Sequence, residues 1–234
     1  MELRTDGVTI ITGGGGAIAG AIAAVFAAAG ARLALVDLDE AGVRARAETF
    51  GALALGADLT SAAAAAAMVA AVHDRFGRVD ALIHTAGGFA MAAAHESSDE
   101  LYDRMMTVNL RTLFCATRAV LPSFVGQGGG FIAGFSSGVV WEGRGAPGMS
   151  VYTAAKAAVT FFLRSVEQEY RARGISAAVV YPLGAVDTPA NRAAMPAADP
   201  TTWVDPAEIG NALLFAATRG PRGRLAELAI GAGA

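Results

Sequence analysis

The chain has 234 residues, of which 54% are hydrophobic and 17% charged, with a formal net charge of −3. That length is enough to bury a full core, and the composition excludes a disordered chain. There is no Lys/Arg run or basic stripe, so nucleic acid and anionic membrane are poor partner candidates. The only cysteine, Cys115, leaves no internal disulfide, which fits a reducing cytoplasm.

The uncharged run 8–31 is long enough to imitate a signal peptide or a membrane anchor. The four glycines at 13–16 interrupt it, with β-branched residues before them and alanines after. A strand, a glycine turn and a helix account for all three parts, whereas a spanning helix accounts only for the hydrophobicity. The predicted elements begin there: a buried strand over 8–11, a turn over 12–16, and a helix over 17–29 closed by Gly30. A second strand over 32–36 ends at Asp37. Further strands are predicted over 52–56, 81–85, 131–135, 176–181 and 225–230. Helices are predicted over 61–76, 99–125 with a break near Val108, 151–173 and 205–218. No repeat and no linker appears. Regular strand–helix alternation predicts an α/β fold: a Rossmann-like, doubly wound parallel sheet in three α/β/α layers, as a single domain over 1–234.

Strand, glycine-rich turn, helix, strand and an acid at the strand tip form the dinucleotide-binding fingerprint. Glycines let the backbone approach a pyrophosphate, and a helix N-terminus offers it free N–H groups. Asp37 is placed to accept from the adenosine ribose hydroxyls. A 2′-phosphate there meets a carboxylate with no offsetting cation in the turn. Two such charges ~4 Å apart at an effective dielectric of about 20 repel by about 4 kcal/mol. The expected cofactor is therefore NAD.

Lys156 is the only lysine in the chain, and it follows Tyr152 by four residues. On a helix the two share one face, so hydroxyl and ammonium point into one cleft. A nearby cation favours the phenolate, and the expected Tyr152 pKa falls from its reference of about 10. That makes Tyr152 a candidate general acid/base. His73, His84 and His95 share no ligand spacing, so no metal site is expected. Glu167, Glu169, Arg171 and Arg173 read most simply as a solvated helix face.

Taken in order, these motifs resemble the short-chain dehydrogenase/reductase family over essentially the whole chain. The stretch 12–19, TGGGGAIA, is similar to that family's TGxxxGxG loop, with Ala17 and Ala19 where Gly is usual. Asp58 resembles the acid near the adenine. Ala86-Gly87 resembles the end of an NNAG motif whose asparagines are replaced by His84-Thr85. Asn109, Ser137, Tyr152 and Lys156 resemble the catalytic tetrad, and Thr188, after Pro182, the threonine that contacts the nicotinamide carboxamide. The resemblance implies cofactor contacts at Gly13, Gly14, Gly16, Ala17, Ile18, Asp37, Asp58, Leu59, Ala86, Gly87, Tyr152, Lys156, Pro182 and Thr188. It also implies a homodimer or homotetramer, and a mobile substrate lid over 187–206.

The spacing from Ser137 to Tyr152 is about two residues longer than the family's, which implies an insertion around Trp141-Glu142 and leaves Ser136 as the alternative serine. GGGAIA at 14–19, AGGFA at 86–90 and DTPANRAAMPAADPTTW at 187–203 are similar to the dihydropteridine reductase branch, which generally lacks the serine. The expected function is NAD(H)-dependent hydride transfer on a small alcohol/carbonyl substrate. The alternatives are a dihydropteridine-reductase-like enzyme and a non-catalytic NAD-binding protein.

Overall fold

In the computed structural model, residues 7–220 and 222–232 are described. β1 (Val8–Thr12) is wholly buried and leads through the glycine turn into α1 (Ala17–Ala28). β2 (Arg32–Asp37) and α2 (Glu40–Phe50) follow, then β3 (Leu53–Gly56), α3 (Ala62–Phe76) and β4 (Ala81–His84). α3 is capped by the Ser61 hydroxyl, which accepts from Ala64 N–H, and it ends at Gly77 in the left-handed region, φ +79°. α4 (Asp99–Met106) and α5 (Thr112–Gln127) are joined by a π turn, Thr107–Arg111, which is the break expected near Val108. β5 (Gly130–Phe135), the one-turn α6 (Gly138–Trp141), α7 (Ser150–Tyr170), β6 (Ile175–Pro182), α8 (Pro189–Ala194), α9 (Pro206–Ala217) and β7 (Glu227–Ile230) complete the chain order.

Among the described residues seven strands form one parallel sheet, in the order β3-β2-β1-β4-β5-β6-β7. The order reverses between β1 and β4, the point at which doubly wound sheets leave a crevice at their carboxyl ends. One face of the sheet, with Ile10, Leu82 and Val179, packs under α3, α5 and α7. The other, with Ile11, Ile83 and Val180, packs under α1, α2 and α9. A strand covered on both faces reads as a continuous apolar run, which is why β1 and β4 are so plain in the sequence. No helix among the described residues is long and apolar enough to cross a membrane.

Three features differ from expectation. α2 was not expected; only Val43 and Ala47 of its eleven residues are buried, so its apolar pattern is thin. Glu167 is not on a solvated face: it is buried, accepts from Ala177 N–H and pairs with Arg224 at 2.9 Å. The segment 187–206, for which no helix was predicted before 205, contains α8, a Val186–Val204 bridge and an Asp187–Arg192 ion pair at 2.6 Å.

Candidate active site

A cleft of about 530 Å³ opens at the carboxyl ends of the strands. Gly13, Gly16, Ala17 and Ile18 form one wall, Asp37, Asp58 and Leu59 a second, and Ala86, Gly87 and Thr188 a third. Of the residues expected to contact the cofactor, Gly14, Tyr152, Lys156 and Pro182 do not line it. Gly14 packs against β2 and α2 instead: a Cβ there would stand 2.8 Å from Val43 Cγ2. Gly13 is the loop's one residue in the left-handed region, φ +66°, and a Cβ on it would meet Ala86 N at 2.8 Å. Ala17 and Ala19 sit in α1 with negative φ, where a methyl fits. Asp37 Oδ2 accepts from Gly15 N–H at 2.9 Å and Oδ1 from Leu38 N–H at 2.7 Å. The carboxylate therefore stands at the mouth of the glycine turn. Asp58 Oδ1 accepts from the Thr60 hydroxyl and N–H, which holds its pKa below the usual value.

Two cations that the sequence reading left out stand near this cleft. Arg46, on α2, donates to the Gly16 carbonyl, and Gly20 lies directly beneath its guanidinium. Arg104, on α4, lines the cleft with Thr107 and Val108.

The π turn directs Asn109 inward. Its Oδ1 accepts from Gly88 N–H at 3.2 Å, and its Nδ2 donates to the carbonyls of Gly88 and Met105 at 3.1 and 2.9 Å. Lys156 is buried and its Nζ donates to the Phe135 carbonyl at 2.9 Å. A Cβ on Gly87 would lie 3.0 Å from Asn109 Oδ1 and 3.4 Å from Lys156 Nζ, so the two side chains meet at the cleft wall. Tyr152 lies one turn before Lys156, with the ammonium 5.8 Å from its ring centroid.

The two serines are distinct. Ser136 Oγ donates to the Lys156 carbonyl at 3.1 Å and accepts from the Thr160 hydroxyl at 2.8 Å. Ser137 caps α6 with its backbone, and its Oγ is buried with no partner. The extra residues before Tyr152 are taken up by α6 and by turns at Gly143 and Gly148, both at positive φ.

The expected fall in the Tyr152 pKa is overturned for the unliganded protein. Burial pushes Tyr152 up to about 12, and burial pushes Lys156 down to about 8. The lysine loses its charge before the phenol would lose its proton, so it gives the phenolate little help.

His84, marked in the sequence only as a departure from NNAG, packs behind the cleft next to Thr112 and Thr85 of its lining. It is buried between two threonines: Thr12 Oγ1 is 2.8 Å from Nδ1 and Thr112 Oγ1 is 3.1 Å from Nε2. Thr112 spends its proton on the Val108 carbonyl, which assigns the imidazole proton to Nε2 and makes Thr12 the donor to Nδ1. Desolvation, then the Lys156 charge, lowers its pKa to about 3, so the ring is neutral. Thr85 reinforces the same seam by donating to the Thr12 carbonyl at 2.7 Å.

A glycine-turned crevice at the switch point of a parallel sheet, with an acid at the tip of β2, defines a dinucleotide-binding α/β protein. A family model described as short chain dehydrogenase matches residues 7–199. The chain belongs to the short-chain dehydrogenase/reductase family and is an oxidoreductase whose fold binds a nicotinamide cofactor. It is 35% identical over 183 residues to 2-(S)-hydroxypropyl-CoM dehydrogenase 3 of Xanthobacter autotrophicus, covering 75% of this chain and 70% of that one. It is 34% identical over 204 residues to levodione reductase of Leifsonia aquatica, covering 84% and 75%. A crystal structure described as a 3-ketoacyl-(acyl-carrier-protein) reductase from Brucella melitensis complexed with NADH is 26% identical. It covers 97% of both chains at a TM-score of 0.86.

Proposed function

We propose that the protein is an NAD(H)-dependent oxidoreductase that interconverts a small alcohol and its carbonyl compound. The observation that carries this reading is Ser137: a buried hydroxyl with no partner, beside a strand end fixed by Lys156. Buried polar atoms normally find partners, and this one, next to Gly138 and the Leu183 loop, is free to meet a ligand oxygen. The same orphan speaks against the dihydropteridine-reductase-like reading, which has no need of it.

The cleft suits a dinucleotide. Asp37 would hold the adenosine ribose hydroxyls, Asp58 and Leu59 the adenine edge, and the Gly13–Ile18 turn the pyrophosphate. Lys156 would hold the nicotinamide ribose and Thr188 the carboxamide. When bound, the nicotinamide ring supplies the hydride acceptor or donor. The chain's own groups manage the proton: Ser137 Oγ fixes the substrate oxygen, and Tyr152 Oη gives it a proton in reduction or takes one in oxidation. Asn109 positions the Gly87-Gly88 wall. The exposed Phe114 and Phe161, near a hollow lined by Met106, Leu110 and Phe162, support pairing of α4–α5 and α7 between copies.

The test is NADH oxidation against ketones, diketones, quinones and a quinonoid pterin, with Tyr152→Phe alongside. Turnover of a carbonyl compound that disappears in Tyr152→Phe is expected. Turnover of the pterin alone, or none that depends on Tyr152, overturns the reading.

A further inference from the structure

Large apolar side chains stand exposed on the three loops that converge on Ser137 and Tyr152. Phe89, 59% exposed, sets its ring edge-on to Tyr152, with centroids 4.9 Å apart and planes at 80°. It follows Gly88, whose N–H and carbonyl are both held by Asn109, so its mount is fixed. Met91, 58% exposed, lies against the turn that precedes Tyr152: its Cε is 3.2 Å from where a Cβ on Gly148 would be. Ala92 N–H donates to the Gly148 carbonyl and closes that contact. Leu183, 39% exposed, backs onto Gly138, the neighbour of Ser137, where a Cβ would lie 3.2 Å from Leu183 Cα.

The charged residues of the same loops are occupied with one another. Arg144 pairs with Glu142, and Arg192 grips Asp187 through two hydrogen bonds of 2.6 and 2.7 Å. Lys156 is engaged with the Phe135 carbonyl, and Arg104 faces the dinucleotide cleft. An anionic group on a substrate would have to compete with Glu142 and Asp187 for these arginines, whereas an apolar group meets exposed apolar side chains directly. An exposed apolar patch beside an orphaned hydroxyl is instead the mark of an apolar ligand site.

Resting on the function proposed above, we infer that the substrate is an uncharged ketone, or its alcohol, flanked by an aromatic or alicyclic ring that packs on Phe89, and that Phe89 sets this specificity.

The experiment uses a matched pair, 1-phenyl-1,2-propanedione and phenylglyoxylate, which differ by a methyl ketone against a carboxylate. With saturating NADH, kcat/KM is expected to favour the neutral diketone by at least ~10-fold, in the range that a missing counter-group imposes. Phe89→Ala is expected to raise KM for the diketone by about 10-fold while kcat stays within about threefold, and Phe89→Leu to recover part of the loss. Equal or better use of phenylglyoxylate overturns the inference while leaving the oxidoreductase reading intact. So does a Phe89→Ala enzyme with unchanged KM. Saturation-transfer NMR of both compounds on the NADH complex separates the two readings if neither compound turns over. Stronger diketone transfer that weakens in Phe89→Ala supports the inference, and equal transfer overturns it.

Discussion

Lys156 Nζ donates to the Phe135 carbonyl across 2.9 Å, and so ties α7 to the end of β5 one residue before the serine pair. The Lys156 carbonyl in turn accepts from Ser136 Oγ. One residue thus holds both sides of the strand end, and the next hydroxyl, on Ser137, is buried with nothing to bond. A strand alternates its side chains, so consecutive serines cannot do the same work.

This separates the two serines experimentally. Ser137→Ala is expected to lower kcat/KM by ~10²-fold or more, as loss of a donor to the developing oxyanion does, with thermal stability unchanged or raised. Ser136→Ala removes a buried bond to the Lys156 carbonyl, while the Thr160 hydroxyl keeps that same carbonyl as its partner, so it should lower stability by about 0.5–1.5 kcal/mol. Kinetics and urea unfolding of both variants check this. A larger kinetic loss in Ser136→Ala would transfer the role to Ser136.

Cofactor choice turns on Asp37 set against Arg46. The carboxylate is held by Gly15 N–H at the turn, where an extra phosphate would meet it. Arg46 is bound to the Gly16 carbonyl, which keeps its charge nearby. Fluorescence titration is expected to give tighter NADH than NADPH. Asp37→Ala should narrow the gap, and Asp37→Ala with Arg46→Ala should open it again by weakening NADPH. Tighter NADPH in the wild type would reverse the assignment.

The parallel sheet and the order of its motifs were legible because buried strands are continuous apolar runs that end in Asp37, Asp58, Ala86-Gly87 and Ser136-Ser137. What stayed hidden depends on partners distant in sequence. Glu167 looks solvated until Arg224, 57 residues later, comes to it. α2 hides because the stretch EAGVRARAETF buries so little, and Arg46 hides with it. The Tyr152 pKa was misjudged from spacing alone: i, i+4 placement gives proximity, but the depth that desolvates both groups belongs to the fold.

His84 links this depth to acid stability. Its folded pKa is about 3, against 6.5 when free. As pH falls below 6.5 the unfolded chain takes up a proton that the folded chain refuses, so stability is lost progressively between pH 6.5 and 3. His84→Asn removes the titration. The urea midpoint of the wild type should drop more from pH 8 to pH 5 than that of the variant, with the difference worth up to a few kcal/mol near pH 3. Equal drops would show that His84 protonates without cost.

The Tyr152–Lys156 pair titrates at alkaline pH, where only the tyrosine acts opposite to His84. Burial holds the phenol protonated to about 12 in the unliganded protein, and Lys156 gives up its charge near 8. Ultraviolet titration of wild type minus Tyr152→Phe should therefore show no phenolate from Tyr152 until well above pH 10. For stability the two signs differ. Between pH 8 and 10.5 the unfolded chain holds the Lys156 proton and the folded chain does not, so stability rises with pH. Between pH 10 and 12 the folded chain keeps the Tyr152 proton and stability falls. Under the proposed function alcohol oxidation would need the phenolate, so its pH profile should rise at a pKa below that of the free protein only because oxidised cofactor would bring positive charge beside the ring. That rise should vanish in Tyr152→Phe. Lys156→Arg keeps a cation but cannot reproduce a compact ammonium on the Phe135 carbonyl, and kcat should fall by at least ~10²-fold. A phenolate already present at neutral pH in the unliganded protein would show that the lysine charge, rather than burial, governs this tyrosine.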